Sequence, residues 1–355
     1  MESSEKLYKV LCIGDPHFKT GNVKECEAMC NQIYKVIEQH NPDLIVVMGD
    51  VLDRHETIHV VPLTNSIKFL KRLSEYKKTY VLIGNHDRPN NNDYLSDFHP
   101  FVGIQSDNLI LVDKVHVAEI NGYKFLFVPY VYPGRFEEAV NTKKSEFGDI
   151  KHMNCIFAHQ EFYSTKMGSI VSTKGDKWPK DNPFVISGHI HDYTRPQNNV
   201  VYVGTPLQHA FGDRDDKTIS LFEFKPKLLS SNDSNNLINY PEEIRIDLGL
   251  IKRVIHKISC KDIITWVPPE NYLIKLIIEG TSSEIKAMQK LDYIKQLNKR
   301  GIKIAYVTID EIKAGATKQI KQEEMRLSYI QRLQQHVKSD PGMNYWFDYL
   351  FNKPM

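Results

Sequence analysis

The 355-residue chain has no run of about 18 apolar residues and no apolar stretch after a basic start. Neither a membrane span nor a secretion signal is therefore expected, and the reading is an intracellular protein, cytoplasmic or nuclear, with no membrane partner. Cysteine is scarce: there are five, and no two stand as Cys-x-x-Cys. A thiolate zinc site and a disulfide framework are both excluded on that ground. Cys12 and Cys155 lie in apolar runs, Cys26 and Cys30 are four apart on an expected helix, and Cys260 is alone, so all five read as small buried hydrophobes. There is no internal repeat, and no low-complexity tract outside residues 225–241. A strong excess of one charge is missing as well, with a net charge of +2. Residues 241–355 carry 19 Lys/Arg against 14 Asp/Glu, so the front is mildly acidic and the rear mildly basic. That balance suits a metal-centred catalytic part with an appendage facing nucleic acid.

What is present is a series of apolar runs that end in polar clusters. Residues 7–13 read as a strand closing on Gly14-Asp15-Pro16-His17. A helix is expected over 23–39, where Met29, Ile33, Val36 and Ile37 share a face. Residues 44–48 form a fully buried strand ending at Gly49-Asp50, and a helix over about 60–74 leads to a strand at 80–83 and Gly84-Asn85-His86-Asp87. This alternation predicts a parallel α/β core. Residues 109–129 read as three short strands with Asn121-Gly122 as a hairpin turn. Residues 154–158 deliver His159, and 183–187 deliver Gly188-His189-Ile190-His191. A linker is expected at 226–241. After it come a smaller α/β unit over 242–312 (strand 272–278, helix 282–298, strand 302–307) and a helical tail over 313–355.

Asp15, His17, Asp50, Asn85, His86, His159, His189 and His191 therefore stand at five strand ends. Each has an ordinary structural explanation alone. Together they would be costly to desolvate unless something cationic organised them. Two divalent ions about 3.5–4 Å apart need several N/O ligands and a bridging group. Asp15 and His17 lie on one side of an extended chain, as do His189 and His191, and the two histidines can serve different ions. Asp50 can bridge through its two oxygens. Without cysteine among the ligands, Mn²⁺ or Mg²⁺ is favoured over structural zinc. Such a pair of ions suits phosphate-ester hydrolysis, and His86, with Asp87 to orient it, is the expected general acid.

Asp15-x-His17, Gly49-Asp50-x-x-Asp53, Gly84-Asn85-His86-Asp87, His159 and Gly188-His189-x-His191 resemble the motif series of the calcineurin-like metallophosphoesterases. Within that superfamily the chain, including Gly204-Thr205-Pro206-Leu207-Gln208 and Lys217, resembles the SbcD-type DNA repair nucleases of cells, phages or large viruses. The resemblance implies a four-layer αββα sandwich over residues 1–225 followed by a capping domain. It implies one ion on Asp15, His17, Asp50 and His191 and a second on Asp50, Asn85, His159 and His189, with His86 facing the scissile phosphate. It further implies Mn²⁺, a DNA substrate (ends, single strands or hairpins) and an SMC-like ATPase partner of the SbcC type. One departure is Asp53, where many relatives carry histidine. Asp53-Arg54 also resembles the protein-phosphatase stretch in which the arginine binds phosphate, making Arg54 a candidate phosphate ligand. Asp87, where that branch carries Glu, argues against a phosphatase.

The rivals are a metallophosphatase or small-molecule phosphodiesterase on the same fold, and an inactive scaffold. Loop 160–180 interleaves Tyr163 and Trp178 with Lys166, Lys174, Lys177 and Lys180, a pattern able to track a single strand or merely to solvate a loop. Ile320, Leu327, Ile330, Leu333 and Val337 share a helical face that could dock the ATPase, pack on the chain itself or form a homodimer. His55 and His209, with the other remaining histidines, read as structural or surface residues.

Overall fold

The computed structural model describes residues 7–55, 57–168, 170–225 and 240–309, with positions 337, 338, 343 and 347 besides. In chain order the elements are β1 (Tyr8–Ile13), α1 (Val23–His40), β2 (Leu44–Val47), α2 (Val60–Tyr76), β3 (Thr79–Leu82), β4 (Leu109–Val112), β5 (His116–Ile120) and β6 (Tyr123–Val128). They continue with α3 (Phe136–Asn141), α4 (Lys144–Phe147), β7 (Cys155–His159), β8 (Lys166–Met167), β9 (Ile170–Val171), β10 (Phe184–Gly188), β11 (Thr194–Gln197), β12 (Val200–Tyr202) and β13 (Ile219–Phe224). Last come β14 (Glu242–Ile246), β15 (Lys252–Ser259), β16 (Tyr272–Gly280), α5 (Ser282–Met288), α6 (Asp292–Lys299) and β17 (Lys303–Thr308).

Two six-stranded sheets are packed face to face, in the orders β14-β13-β1-β2-β3-β4 and β11-β12-β10-β7-β6-β5. The continuous apolar runs are explained by burial on both faces of each sheet. Val10, Cys12, Leu44, Val46, Tyr80 and Leu82 point between the sheets, where they meet Phe125, Phe127, Phe157, Phe184 and Ile186. Their neighbours Leu11, Ile13, Ile45, Val47, Val81 and Ile83 instead pack on Met29, Ile33, Phe69 and Leu70 of α1 and α2. On the far side Leu126, Val128, Ile156 and Val185 pack on Phe136, Ala139 and Phe147 of α3 and α4. The result is a four-layer αββα sandwich. Asn121 and Gly122, both at positive φ (51° and 81°), turn the β5–β6 hairpin as expected of an Asn-Gly pair.

The expected boundary at 242 is corrected by this topology. Glu242–Ile246 pairs antiparallel with β13 and completes the first sheet, while Tyr240 packs in the inter-sheet core. The smaller unit begins at β15, a strand that the sequence reading missed, because its alternation Val254, His256, Ile258 is only half-buried. Its three strands are parallel in the order β15-β16-β17, with α5 and α6 on one face over Ile274, Leu276 and Ile278. The single helix expected over 282–298 is two, because Leu291 is extended (φ −67°, ψ 135°) and packs into this core. Thr281 and Glu284 close a reciprocal capping box at the start of α5. Gly301, at φ 83°, ends α6 in a Schellman turn, with the Ile302 amide donating to the Leu297 carbonyl and the Gly301 amide to that of Asn298. Residues 226–239 and the expected helical tail over 313–355, apart from positions 337, 338, 343 and 347, lie outside the described residues, so of the expected docking face over 319–337 only Val337 is described.

Tyr80 and Phe127 stack across the two sheets at 4.0 Å, and Phe127 stacks on Phe157 at 5.1 Å. Phe127→Ala would leave a cavity at that junction and is expected to cost about 3–5 kcal/mol, read as a lowered midpoint in chemical denaturation.

Candidate metal centre

Five parallel strands, β1, β2, β3, β7 and β10, send their C-terminal ends to one edge of the sandwich. The ends of the two sheets meet there, as open α/β sheets bring polar loops together. The Ile13 carbonyl accepts from the Met48 amide (2.8 Å), and the Asp50 carbonyl from the His17 amide (3.1 Å), which locks the first two loops together.

Two side-chain groups result, Asp15 with His17 and His191, and Asp50 with His159 and His189; within each, the ligand atoms lie within 4.8 Å of one another. The Nε2 atoms of His17 and His191 face each other at 3.1 Å. Asn85 Oδ1 lies 3.1 Å from His159 Nε2 and 3.0 Å from His189 Nδ1. Asp50 sits between the halves, its Oδ2 being 3.7 Å from His17 Nε2 and 3.4 Å from His159 Nε2. Its other oxygen accepts the His86 amide at 2.8 Å, so one oxygen, not two, faces both halves.

The donor set fits two cations. Asp15 Oδ1 is buried with no hydrogen-bond partner, while Oδ2 accepts the His189 amide at 2.8 Å. An orphaned carboxylate oxygen is costly in a protein interior and calls for a positive charge. Burial pushes the Asp15 carboxyl well above the usual range, only partly offset by His159. Burial acts on Asp50 in the same direction, but His159 and His17 outweigh it and hold Asp50 well below. His189 is pushed down to about 3 by burial and then by His159, which makes it a neutral ligand. For His159 burial acts downward, yet Asp50 and Asp15 raise it to about 9.

Close packing and backbone strain hold the group in place. His17, Asp50 and His189 adopt left-handed backbone (φ 44°, 47° and 81°), which L-residues keep only where the surroundings over-determine it. A Cβ on Gly84 would come within 2.2 Å of Asp50 Oδ1, and one on Gly188 within 2.5 Å of Asp15 Oδ1. Gly84 lets two neighbouring loops of the first sheet close up, and Gly188 lets the ends of the two sheets approach.

One expectation changes here. Asp87 does not orient His86: its carboxylate accepts the amides of Leu52 (2.9 Å), Val51 (3.2 Å) and Gly84 (3.1 Å), stapling the Asp50 loop to the Asn85 loop. The partner of His86 Nδ1 is the Asp53 carbonyl, at 2.8 Å. Trp178 is packed locally, its indole N–H donating to the Pro183 carbonyl and its ring near a right angle to that of Phe136, as in the second reading of that loop. Tyr163 in that loop is exposed, with the Lys177 ammonium 5.3 Å from its ring. Arg54 is exposed and lines two adjoining clefts of about 220 and 470 Å³, the larger bordered by His86. Two histidines at the site were missed. His55 stacks on His86 at 4.7 Å and 17°, and His209 lies edge-on to His17 and His191 at 4.8 and 5.4 Å. His209 directly follows the Gly204–Gln208 stretch, which was a signal available in the sequence.

Residues 8–231 match the family model described as calcineurin-like phosphoesterase. Over 285 residues the chain is 39% identical to "Putative phosphoesterase 244L" of Invertebrate iridescent virus 6, covering 79% of this chain and 97% of that protein. Over 303 residues it is 35% identical to "Putative phosphoesterase 078R" of Invertebrate iridescent virus 3, covering 85% of each. Among solved structures, GAP50, the anchor in the inner membrane complex of Plasmodium, aligns at 14% identity over 68% of this chain and 89% of that one. Its TM-score is 0.41. With its fold, its paired ligand groups and these matches, the chain belongs to the calcineurin-like phosphoesterase family. Among the described residues no helix is long and apolar enough to cross a membrane.

Because the carboxylates keep His159 protonated up to about pH 9 in the metal-free protein, a cation must displace that proton. Affinity should therefore rise with pH up to that value. Calorimetry near neutral pH, in buffers of different ionisation enthalpy, should show net proton release on metal uptake, from His159 and from Asp15, whose carboxyl is also raised. Asp50→Ala removes the one oxygen facing both halves, and metal analysis should find both sites depleted. Two fully occupied sites in that variant would exclude a bridging role.

Proposed function

We propose that the protein is a two-metal DNA nuclease hydrolysing phosphodiesters, the catalytic subunit of an SbcCD-like repair complex. The observation that carries phosphoester hydrolysis is the pair of ligand groups joined by Asp50, with His86 held beside them through the Asp53 carbonyl. Asp15, His17 and His191 would hold one ion and Asn85, His159 and His189 the other, with Asp50 shared. Mn²⁺ is the preferred ion and Mg²⁺ the alternative, given a donor set of nitrogen and oxygen only. When bound, such ions supply neutralisation of the phosphoryl oxygens and a nucleophile at neutral pH.

The chain's own residues do the rest. With Nδ1–H donated to the Asp53 carbonyl, His86 in its imidazolium form carries a second proton, on Nε2, for the departing oxygen. The hydrogen bond from the His86 backbone amide to Asp50 Oδ1 ties the position of this acid to the shared carboxylate. Burial of Asp15, His17, Asp50, Asn85 and His159 keeps water from that part of the ligand set and strengthens each electrostatic contact there.

DNA as substrate is supported by the order of motifs, by Asp87 after Asn85-His86, and by the smaller α/β unit fastened beside the site, which a lone phosphatase would not need. An SbcC-type ATPase, docked through the tail at 313–355, belongs to the same proposal. A phosphatase is the second reading, favoured by Asp53-Arg54 with the Arg54 guanidinium exposed in the clefts beside His86.

Purified protein with Mn²⁺ is to be offered linear, hairpin and single-stranded DNA beside a generic phosphodiester and a phosphoprotein. Cleavage of the DNAs is expected. Turnover of the phosphoprotein alone would establish the phosphatase, and no turnover with both ions bound would establish a scaffold. His86→Ala should keep both metals and lose roughly 10²–10⁴-fold in rate. Metal loss in that variant would make His86 a ligand instead.

A further inference from the structure

The two halves of the centre rest on different supports. On one side His159 Nδ1 lies against the Met48 carbonyl at 2.7 Å, and the Tyr130 ring flanks His189 at 5.6 Å. On the other side the support is the loop after His191. The His191 carbonyl accepts from the Thr205 amide (3.1 Å) and the Lys217 ammonium (2.7 Å). The Asp15 carbonyl lies 3.1 Å from His209 Nε2, so the ring carries its proton there and donates. His209 Nδ1 is then enclosed and has no partner. Leaving a buried ring nitrogen unpaired is unfavourable, so the ring is held for where it sits rather than for its own bonding. It sits against the strained His17 and fills the space beside His191.

The same loop is what the small unit grips. Gln208, next to His209, is buried and pairs with the Arg253 backbone like a strand neighbour. Its Oε1 accepts the Arg253 amide at 2.6 Å, and its Nε2 donates to the Arg253 carbonyl at 3.1 Å. Arg253 Nε–H donates to the Gln208 carbonyl at 3.0 Å, and its Nη2 reaches Glu25 on α1. Asp213 closes the turn by accepting the amides of His209 and Ala210 at 2.7 and 2.9 Å. The Phe211 ring lies under both the Arg253 guanidinium and the Lys303 ammonium, at 5.4 and 5.5 Å, on the first and last strands of the small sheet.

We infer that His209 is a positioning residue for the ion on Asp15, His17 and His191, and that Arg253 anchors it. Docking of the small unit and affinity for that one ion are then linked. The linkage is reciprocal: whatever loosens the Gln208–Arg253 pairing weakens that ion, and the ion in turn tightens the docking. The inference goes beyond the nuclease reading and rests only on the two-ion part of it.

The test is titration of Mn²⁺ into the metal-free full chain, with His191→Ala and His189→Ala assigning the two binding events. His209→Ala should weaken the event lost in His191→Ala by roughly 10–100-fold and leave the other unchanged, as supporting-residue losses do at metal sites. His209→Gln, whose amide can still donate to the Asp15 carbonyl, should recover part of that loss. Arg253→Ala should weaken the same event, and the double variant should be no worse than His209→Ala alone, because the two act in series. Hydrogen exchange of the β15 amides should slow on adding Mn²⁺ in the unmodified protein and not in His209→Gln,Arg253→Ala. Unchanged binding in His209→Ala and His209→Gln, equal weakening of both events, or additive effects would overturn the linkage. If the unmodified protein bound no Mn²⁺ pair at all, the two-ion reading itself would fail first.

Discussion

The Asp50 carboxylate, buried where the two sheets meet, is the constraint on which the remainder depends. Its Oδ2 faces His17 from the first sheet and His159 from the second, and its Oδ1 takes the His86 amide. A desolvated carboxylate is tolerable only with opposite charge and donors around it. His159, held protonated by Asp50 and Asp15 in the metal-free protein, provides that charge until cations replace it. Metal uptake and proton release are in this sense one event.

Holding that carboxylate in place requires unfavourable local structure, and the fold concentrates it at one edge. Three candidate ligands are in left-handed backbone, two glycines are demanded by contacts a methyl group could not make, and one Asp15 oxygen has no hydrogen-bond partner. Around this edge the interior is conventional, with alternate residues of each strand facing a helix layer and a shared aromatic core. Asp87 belongs to the support. It is buried and raised to about 6 by burial and by Asp50, and it binds three loop amides instead of the acid it follows.

The small unit is more than an appendage in sequence. Its first strand is tied to the loop that backs one half of the centre, so its docking bears on only half of the chemistry. On the linkage inferred above, the group around His159 is backed by the sandwich alone and the group around His191 also by the loop that the small unit holds.

From sequence alone, the α/β class, the strand ends and the candidate ligands Asp15, His17, Asp50, Asn85, His159, His189 and His191, which the structure brings together at one edge, could be picked out. Each follows an apolar run, and burial on both faces writes such runs plainly. The Asn121-Gly122 turn and the Gly301 stop were legible because local φ demands leave a residue signature. What required the tertiary structure were contacts between segments distant in the chain. Asp87 turned to three amides because two of them, on Val51 and Leu52, arrive from another loop, and Asp53 supplied the carbonyl for His86 from the same loop. Glu242–Ile246 joined the first sheet because β13 offered a free edge, and His209 came beside His17 across almost the whole catalytic unit. No local pattern encodes such pairings, since their energy exists only once the sheets have packed.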